Sequence, residues 1–351
     1  MSPSVRAPLS IRRRLLFASV AALGVLTLVL VAAEVVARAA GYQPFRLVPL
    51  DILIEPGGRY QQRDPVLGFR HLPGRYRITF PNGKVWNLHH REDTLRATRP
   101  VESDDGAAYR PQLWLFGCSF VHGWGLEDDE TLPWQLQERL TEFDVVNFGV
   151  GGYGTWQSFL QYQDALRTRR PPAIAVLGYA GFHDERNTRS RRWRRATYHY
   201  DQDGDAAYPY LRLDADGRLD RHFDEARYTE FALLRRSALM NLADSAYSAV
   251  EDRLLESHRV SEMIIDQFAE ESRNRSIVFA VVGISRGPRT RAMLDYATRA
   301  GLPASDIAAD LSKPGYAILY DGHPSALANR VQAARLASFL HVVDWKRAAT
   351  P

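Results

Sequence analysis

From Pro111 onward, short strand-like runs alternate with helical stretches, and this alternation constrains the fold more than any other feature of the chain. A strand that returns parallel to its predecessor needs a crossover, usually a helix, so the pattern implies a parallel sheet and an α/β class. Strands are expected at 113–118, 144–148, 173–178 and 277–283, with a short one near 306–309. Helices are expected near 132–140, 155–167, 225–273, 289–300 and 325–340, the first starting at Thr131 or Asp129. Between them, 188–225 reads as an insertion that contains a hairpin signal at Tyr210–Leu219. Asp201-Gln-Asp-Gly-Asp205 faintly resembles a calcium loop but lacks the distal glutamate, so a plain turn is expected.

In an open parallel sheet, chemistry collects at the carboxyl ends of the strands. Four segments fall there: Gly117-Cys118-Ser119-Phe120, Asn147 to Gly154, Gly178 to Asn187, and Asp321-Gly322-His323-Pro324. Ser119 follows a glycine that permits a sharp turn, which makes it a candidate nucleophile. A serine needs a base, and the base needs an orienting partner. His323 and Asp321 supply both roles, although they lie about 200 residues further on. Side chains alternate on a strand, so Cys118 should point into the core and not act as the nucleophile. The glycine-rich turn at 149–154 can bring a backbone N–H close to a developing oxyanion. The run after Ser119 lacks the second glycine of a nucleophile elbow, which argues against an α/β-hydrolase.

The first 110 residues have a different character. Residues 1–14 are polar, with Arg6, Arg12, Arg13 and Arg14, and read as a cytoplasmic N-terminus. Leu15–Ala33 then runs nineteen residues without a charge. As a helix that run would span roughly 28 Å, close to the thickness of a bilayer core. A transmembrane anchor over 15–38 competes with a cleaved signal peptide; the length of the run and the poor cleavage site at Ala37-Arg38-Ala39 favour the anchor. Residues 41–110 are turn-rich, and Arg75–Phe80, Pro81–Lys84 and Val85–Trp86 read as a hairpin, so a small β-rich lead-in is expected before the main domain at 111–345. His89 and His90 are adjacent here and should point to opposite sides of a strand, which makes a metal shared by that pair improbable.

With 45 Lys and Arg against 41 Asp and Glu, the excess is too small to call for a nucleic-acid partner. The arginine cluster at 189–195 is expected to be a solvated loop, with an anionic-substrate or headgroup contact as the competing reading. The single cysteine excludes an intrachain disulfide. No phosphate-binding loop or metal motif is present, so neither metal nor other cofactor is expected.

The four strand-end segments resemble the blocks of the SGNH (GDSL-type) hydrolase superfamily over roughly 111–341, and Gly125–Pro133 resembles a run of its membrane-anchored bacterial members. The resemblance implies a three-layer α/β/α sandwich, with Ser119 as nucleophile and His323 and Asp321 completing the triad. It implies an oxyanion hole built from Ser119, Gly152 and the residue at position 183. The family has an Asn-Asp pair where this chain has His183-Asp184; a histidine ring N–H can donate as the asparagine amide does, and Asn187 lies close enough in sequence to take the role. Asp184 and Asn187 are supporting candidates. The resemblance further implies a serine esterase or O-acyltransferase acting on ester substrates, acylated glycans of the envelope among them. It would be held by one span in a bacterial inner membrane, with the catalytic domain periplasmic or extracellular. The alternative is a non-catalytic protein that uses the same cleft to hold a glycan.

Overall fold

The computed structural model describes residues 10–46, 51–100, 110–197, 207–224, 227–319 and 321–344. The calcium-like sequence at 201–205 lies outside them. The chain divides into two compact units, Met1–Val48 with Thr229–Val250, and Pro49–Tyr228 with Glu251–Pro351.

In the first unit, α1 (Ile11–Ala39) is long and apolar enough to cross a membrane, and its apolar window is not buried against the rest of the protein. Both a membrane anchor and a signal sequence are compatible with such a helix. Glu34, near its C-terminal end, does more than tolerate an interface. Its carboxylate accepts from Ser237 Oγ at 2.6 Å, Ala238 N at 3.0 Å and Leu239 N at 2.9 Å. Those amides open a second helix of this unit, whose free N–H groups need acceptors.

The second unit begins with small antiparallel pieces. Strands β1 (Leu53–Glu55), β4 (Gly74–Thr79) and β5 (Val85–His90) form one group in the order β1-β4-β5, and β2 (Gln61–Asp64) pairs with β3 (Gly68–His71). The expected hairpin is therefore present, with its second strand running on to His90. Arg96 ties this lead-in to the main sheet. It is 1% exposed, it bridges to Asn147, and its guanidinium donates to Asp128 Oδ1 and to the carbonyls of His122, Gly123 and Leu126.

The main sheet comprises β6 (Gln112–Gly117), β7 (Asp144–Gly149), β8 (Ile174–Tyr179), β11 (Val278–Gly283) and β12 (Ala304–Asp306), all parallel, in the order β12-β11-β8-β6-β7. The strand expected near 306–309 lies slightly earlier, where Val281 to Gly283 pair with Ala304 to Asp306. The hairpin in the insertion is β9 (Tyr208–Leu213) with β10 (Leu219–Asp224). The helices are α2 (Ser119–His122), α3 (Leu132–Gln137), α4 (Thr155–Thr168), α5 (His183–Asn187), α6 (Arg191–Thr197), α7 (Ala238–Leu254), α8 (Ser257–Arg273), α9 (Pro288–Arg299) and α10 (Ala326–Val342). The single helical stretch expected over 225–273 is thus two helices, separated where Glu256 adopts φ +47°. Thr131 caps α3 by accepting from Trp134 N, and Ser325 caps α10 by accepting from Ala328 N.

The alternation of β6 shows why three layers form. Trp114 and Phe116 face a core shared with Phe159 and Tyr162 of α4 and Ile264 and Phe268 of α8. Leu113, Leu115 and Cys118 face the opposite core with Leu132 and Leu136 of α3 and Leu336 and Leu340 of α10. A strand buried on both faces must be apolar on both, and each large side chain so buried contributes about 1.5–3 kcal/mol. The result is the three-layer α/β/α arrangement that the resemblance implies.

Candidate active site

β6 ends at Gly117, Cys118 remains extended, and Ser119 opens the single turn of α2. This turn packs closely over the end of β7. A Cβ on Gly149 would stand 2.3 Å from the His122 amide nitrogen, so a side chain there would push the turn, and Ser119 with it, away. Gly123 closes the turn in the left-handed region at φ +89°.

The histidine and aspartate arrive from the loop before α10. Ser119 Oγ lies 2.8 Å from His323 Nε2. His323 Nδ1 hydrogen-bonds Asp321 Oδ1. A carboxylate can only accept, so Nδ1 carries the proton and Nε2 presents its lone pair to the serine hydroxyl. The second oxygen of Asp321 accepts from Trp124 Nε1 at 3.0 Å. Burial pushes the Asp321 carboxyl upward, but its hydrogen bonds with His323 and Trp124 outweigh that and hold it below the ordinary aspartate value. Ser119 is 8% exposed, so its hydroxyl is reached only through the cleft in front of it.

That cleft has a volume of about 630 Å³. Ser119, His323, Gly151 and Gly152 form its floor, and Tyr60, Trp124 and Trp193 are among the aromatic side chains of its walls. Gly152 adopts φ +89°, a conformation open to glycine, and a Cβ on Gly151 would be 3.9 Å from that of Ser119. The glycine turn thus presents its backbone directly beside the hydroxyl. Arg186 also lines the cleft, with its guanidinium 4.4 Å from the ring centres of both Phe182 and Trp193.

The structure therefore brings Ser119, His323, Asp321 and Gly152 together. The other three candidates are buried and are not among the residues that line the cleft. His183 is fully buried, with Nδ1 3.5 Å from Thr155 Oγ1 and Nε2 without a hydrogen-bond partner. Burial holds this imidazole well below the usual histidine range, so it is neutral. Asn187 is committed elsewhere: its Oδ1 accepts from Trp156 N at 2.9 Å, at the start of α4, and its Nδ2 donates to Ser261 Oγ at 2.8 Å. Asp184 accepts from Tyr179 and from Ser261, and its other oxygen meets His258 Nδ1 at 2.9 Å. Both residues hold α5 in place and leave no group for a substrate.

Sequence reasoning missed Trp124, because an indole donor seven positions beyond a glycine-ended strand has no local signal. The arginine cluster also differs from the solvated loop expected of it. It forms α6, Arg191 is buried beneath Tyr228, Arg194 pairs with Glu251 at 2.8 Å, and Arg189 faces the ring of Tyr208 at 3.9 Å.

No family model matches the chain, and no curated protein matches it. Among solved structures the chain is similar to TesA, at 14% identity and a TM-score of 0.40, over 65% of this chain and 97% of that one. It is similar to AlinE4, described as an SGNH-hydrolase family esterase, at 15% identity and a TM-score of 0.35, over 69% and 97% of the two chains. It is also similar to an acetyl xylan esterase, Est2A, from the rumen bacterium Butyrivibrio proteoclasticus, at 12% identity and a TM-score of 0.35, over 86% and 85%.

Proposed function

We propose that this protein is a serine-dependent ester hydrolase or O-acyltransferase that works through an acyl-enzyme on Ser119. One observation carries the reading: Ser119 Oγ lies 2.8 Å from the Nε2 of a histidine whose Nδ1 is held by Asp321. The serine oxygen attacks the ester carbonyl carbon while His323 Nε2 takes the hydroxyl proton. Asp321 holds the ring in the required tautomer and stabilises the imidazolium. The carbonyl oxygen becomes an oxyanion, met by the N–H groups of Ser119 and Gly152 and, in the tautomer in which Thr155 donates to Nδ1 and Nε2 carries the proton, by His183. His323 returns the proton to the departing alkoxide, and the alcohol leaves. Water then attacks the acyl-serine in hydrolysis, or a sugar hydroxyl in transfer, again with His323 as base.

Acylated glycans are the substrate class we favour, because aromatic and arginine side chains line the cleft and can stack on sugar rings and meet their hydroxyls. We further propose that α1 anchors the protein in the membrane with the catalytic unit outside the cytoplasm. A fluorophosphonate probe tests the central step. Wild type should be labelled and Ser119→Ala should not, with turnover reduced by as much as about 10⁶. The second reading, a glycan-binding protein without turnover, is favoured by His183 standing where the family has asparagine; absence of labelling in both proteins would select it. Assays on acetylated sugars, with and without an acceptor sugar, separate hydrolysis from transfer.

A further inference from the structure

A second cluster of chemistry lies behind Tyr60 and outside the proposed reaction. His71 at the end of β3, His90 at the end of β5 and His122 at the end of α2 converge in the interior, at 3%, 1% and 1% exposure. The rings of His71 and His90 stack with centroids 4.1 Å apart, and His71 and His122 lie 4.5 Å apart. One ring nitrogen from each histidine lies within 4.8 Å of the other two.

Hydrogen bonding alone does not account for this cluster. His90 Nδ1 lies 3.1 Å from the carbonyl of Leu72, which can only accept, so Nδ1 carries the proton and Nε2 bears a lone pair. That lone pair sits 3.0 Å from His122 Nε2. His71 is bonded to the backbone at Thr94, and its Nε2 is left buried without a partner. A buried imidazole nitrogen with no partner is a group that lacks the contact its chemistry calls for.

We propose that His71, His90 and His122 bind one divalent transition metal, with zinc the best match. Two imidazole nitrogens at about 2.0–2.1 Å from a tetrahedral ion stand about 3.3 Å apart, close to the 3.0 Å between His90 and His122. Backbone partners on His71 and His90 fix those rings as the outer hydrogen bonds of metal ligands do. Three neutral nitrogens suit zinc, cobalt, nickel or copper and not the oxygen-seeking calcium or magnesium. The nearby Arg96 charge is offset by Asp128, at 2.8 Å. A metal here would clamp α2, which begins with Ser119, to the lead-in strands, and it would sit under Tyr60, which packs against Trp124; both aromatic residues line the cleft. Its role is to position that wall, without taking part in the acyl transfer.

The test uses the full chain without a histidine tag, purified in detergent. Metal analysis should find about one equivalent of zinc per chain. Removal with a chelator should lower the melting temperature, and added zinc should restore it. Cobalt loading should give the visible absorption bands of a tetrahedral nitrogen site. His71→Gln and His90→Gln should lose the metal, whereas His89→Gln and Ser119→Ala should keep it. Should the first two variants fail to fold, the stoichiometry and cobalt spectrum of wild type decide. A wild type that holds no metal and shows no melting response to zinc, cobalt or copper overturns the assignment, as does full retention in His71→Gln. Retention in Ser119→Ala makes this outcome independent of the proposed esterase reaction.

Discussion

At Ser119, the proposed reactivity depends on neighbours that come from three separate parts of the chain. The proposed base is 204 residues away, the aspartate bonded to it also accepts from Trp124, and the proposed oxyanion side comes from the turn after β7. His183 is the residue whose role is most open to measurement. Thr155 can donate its hydroxyl to Nδ1, which leaves Nε2–H as a buried donor in search of an acceptor. An ester oxyanion is such an acceptor. His183→Asn should therefore keep most of the turnover, while His183→Leu should lose about 10²–10³ in kcat with little change in KM. Equal activity of the leucine variant and wild type in a chromogenic ester assay would remove His183 from the reaction.

Among the elements, α5 is held by a buried carboxylate. Asp184 anchors it to α8 through Ser261 and His258. The hydrogen bond to Asp184 raises the His258 pKa above the ordinary value of 6.5, against the opposing effect of burial. A histidine whose folded pKa is raised contributes stability that is fully present below its unfolded value and fades as pH rises through the folded one. The melting temperature should therefore fall as pH climbs from about 6.5 through the raised pKa. His258→Gln should flatten that slope. A wild-type profile unchanged by the substitution would show that the pair contributes nothing there.

For the whole molecule, the question is where it resides. α1 carries no charge from Leu15 to Ala33, and its arginines at 12–14 precede that apolar run. The intact mass of the mature chain should include residues 15–38, and the protein should stay with the membrane after an alkaline carbonate wash. Leu23→Arg with Leu26→Arg should release it or block insertion, since a charge at the bilayer centre costs about 2.5–3.5 kcal/mol each. A mature chain that begins near Ala39 would instead make α1 a signal sequence.

The sheet was legible in the sequence because each of its long strands is buried on both faces and so reads as a nearly continuous apolar run; β6 shows it with Leu113–Phe116. The same locality exposed Ser119, Gly152 and the Asp321–His323 pair, since each sits on a strand end or turn that its own neighbours mark. Short β12 and the break at Glu256 were placed less well, because a few residues carry little periodicity. What no local pattern held was convergence. Trp124 reaches Asp321 across 197 positions, Arg96 bonds three carbonyls of another segment, and His71 and His122 join His90 only once the lead-in is packed on the sheet. A side chain's partners through space are set by how strands and turns stack, and that information belongs to the packed core, not to any stretch of residues.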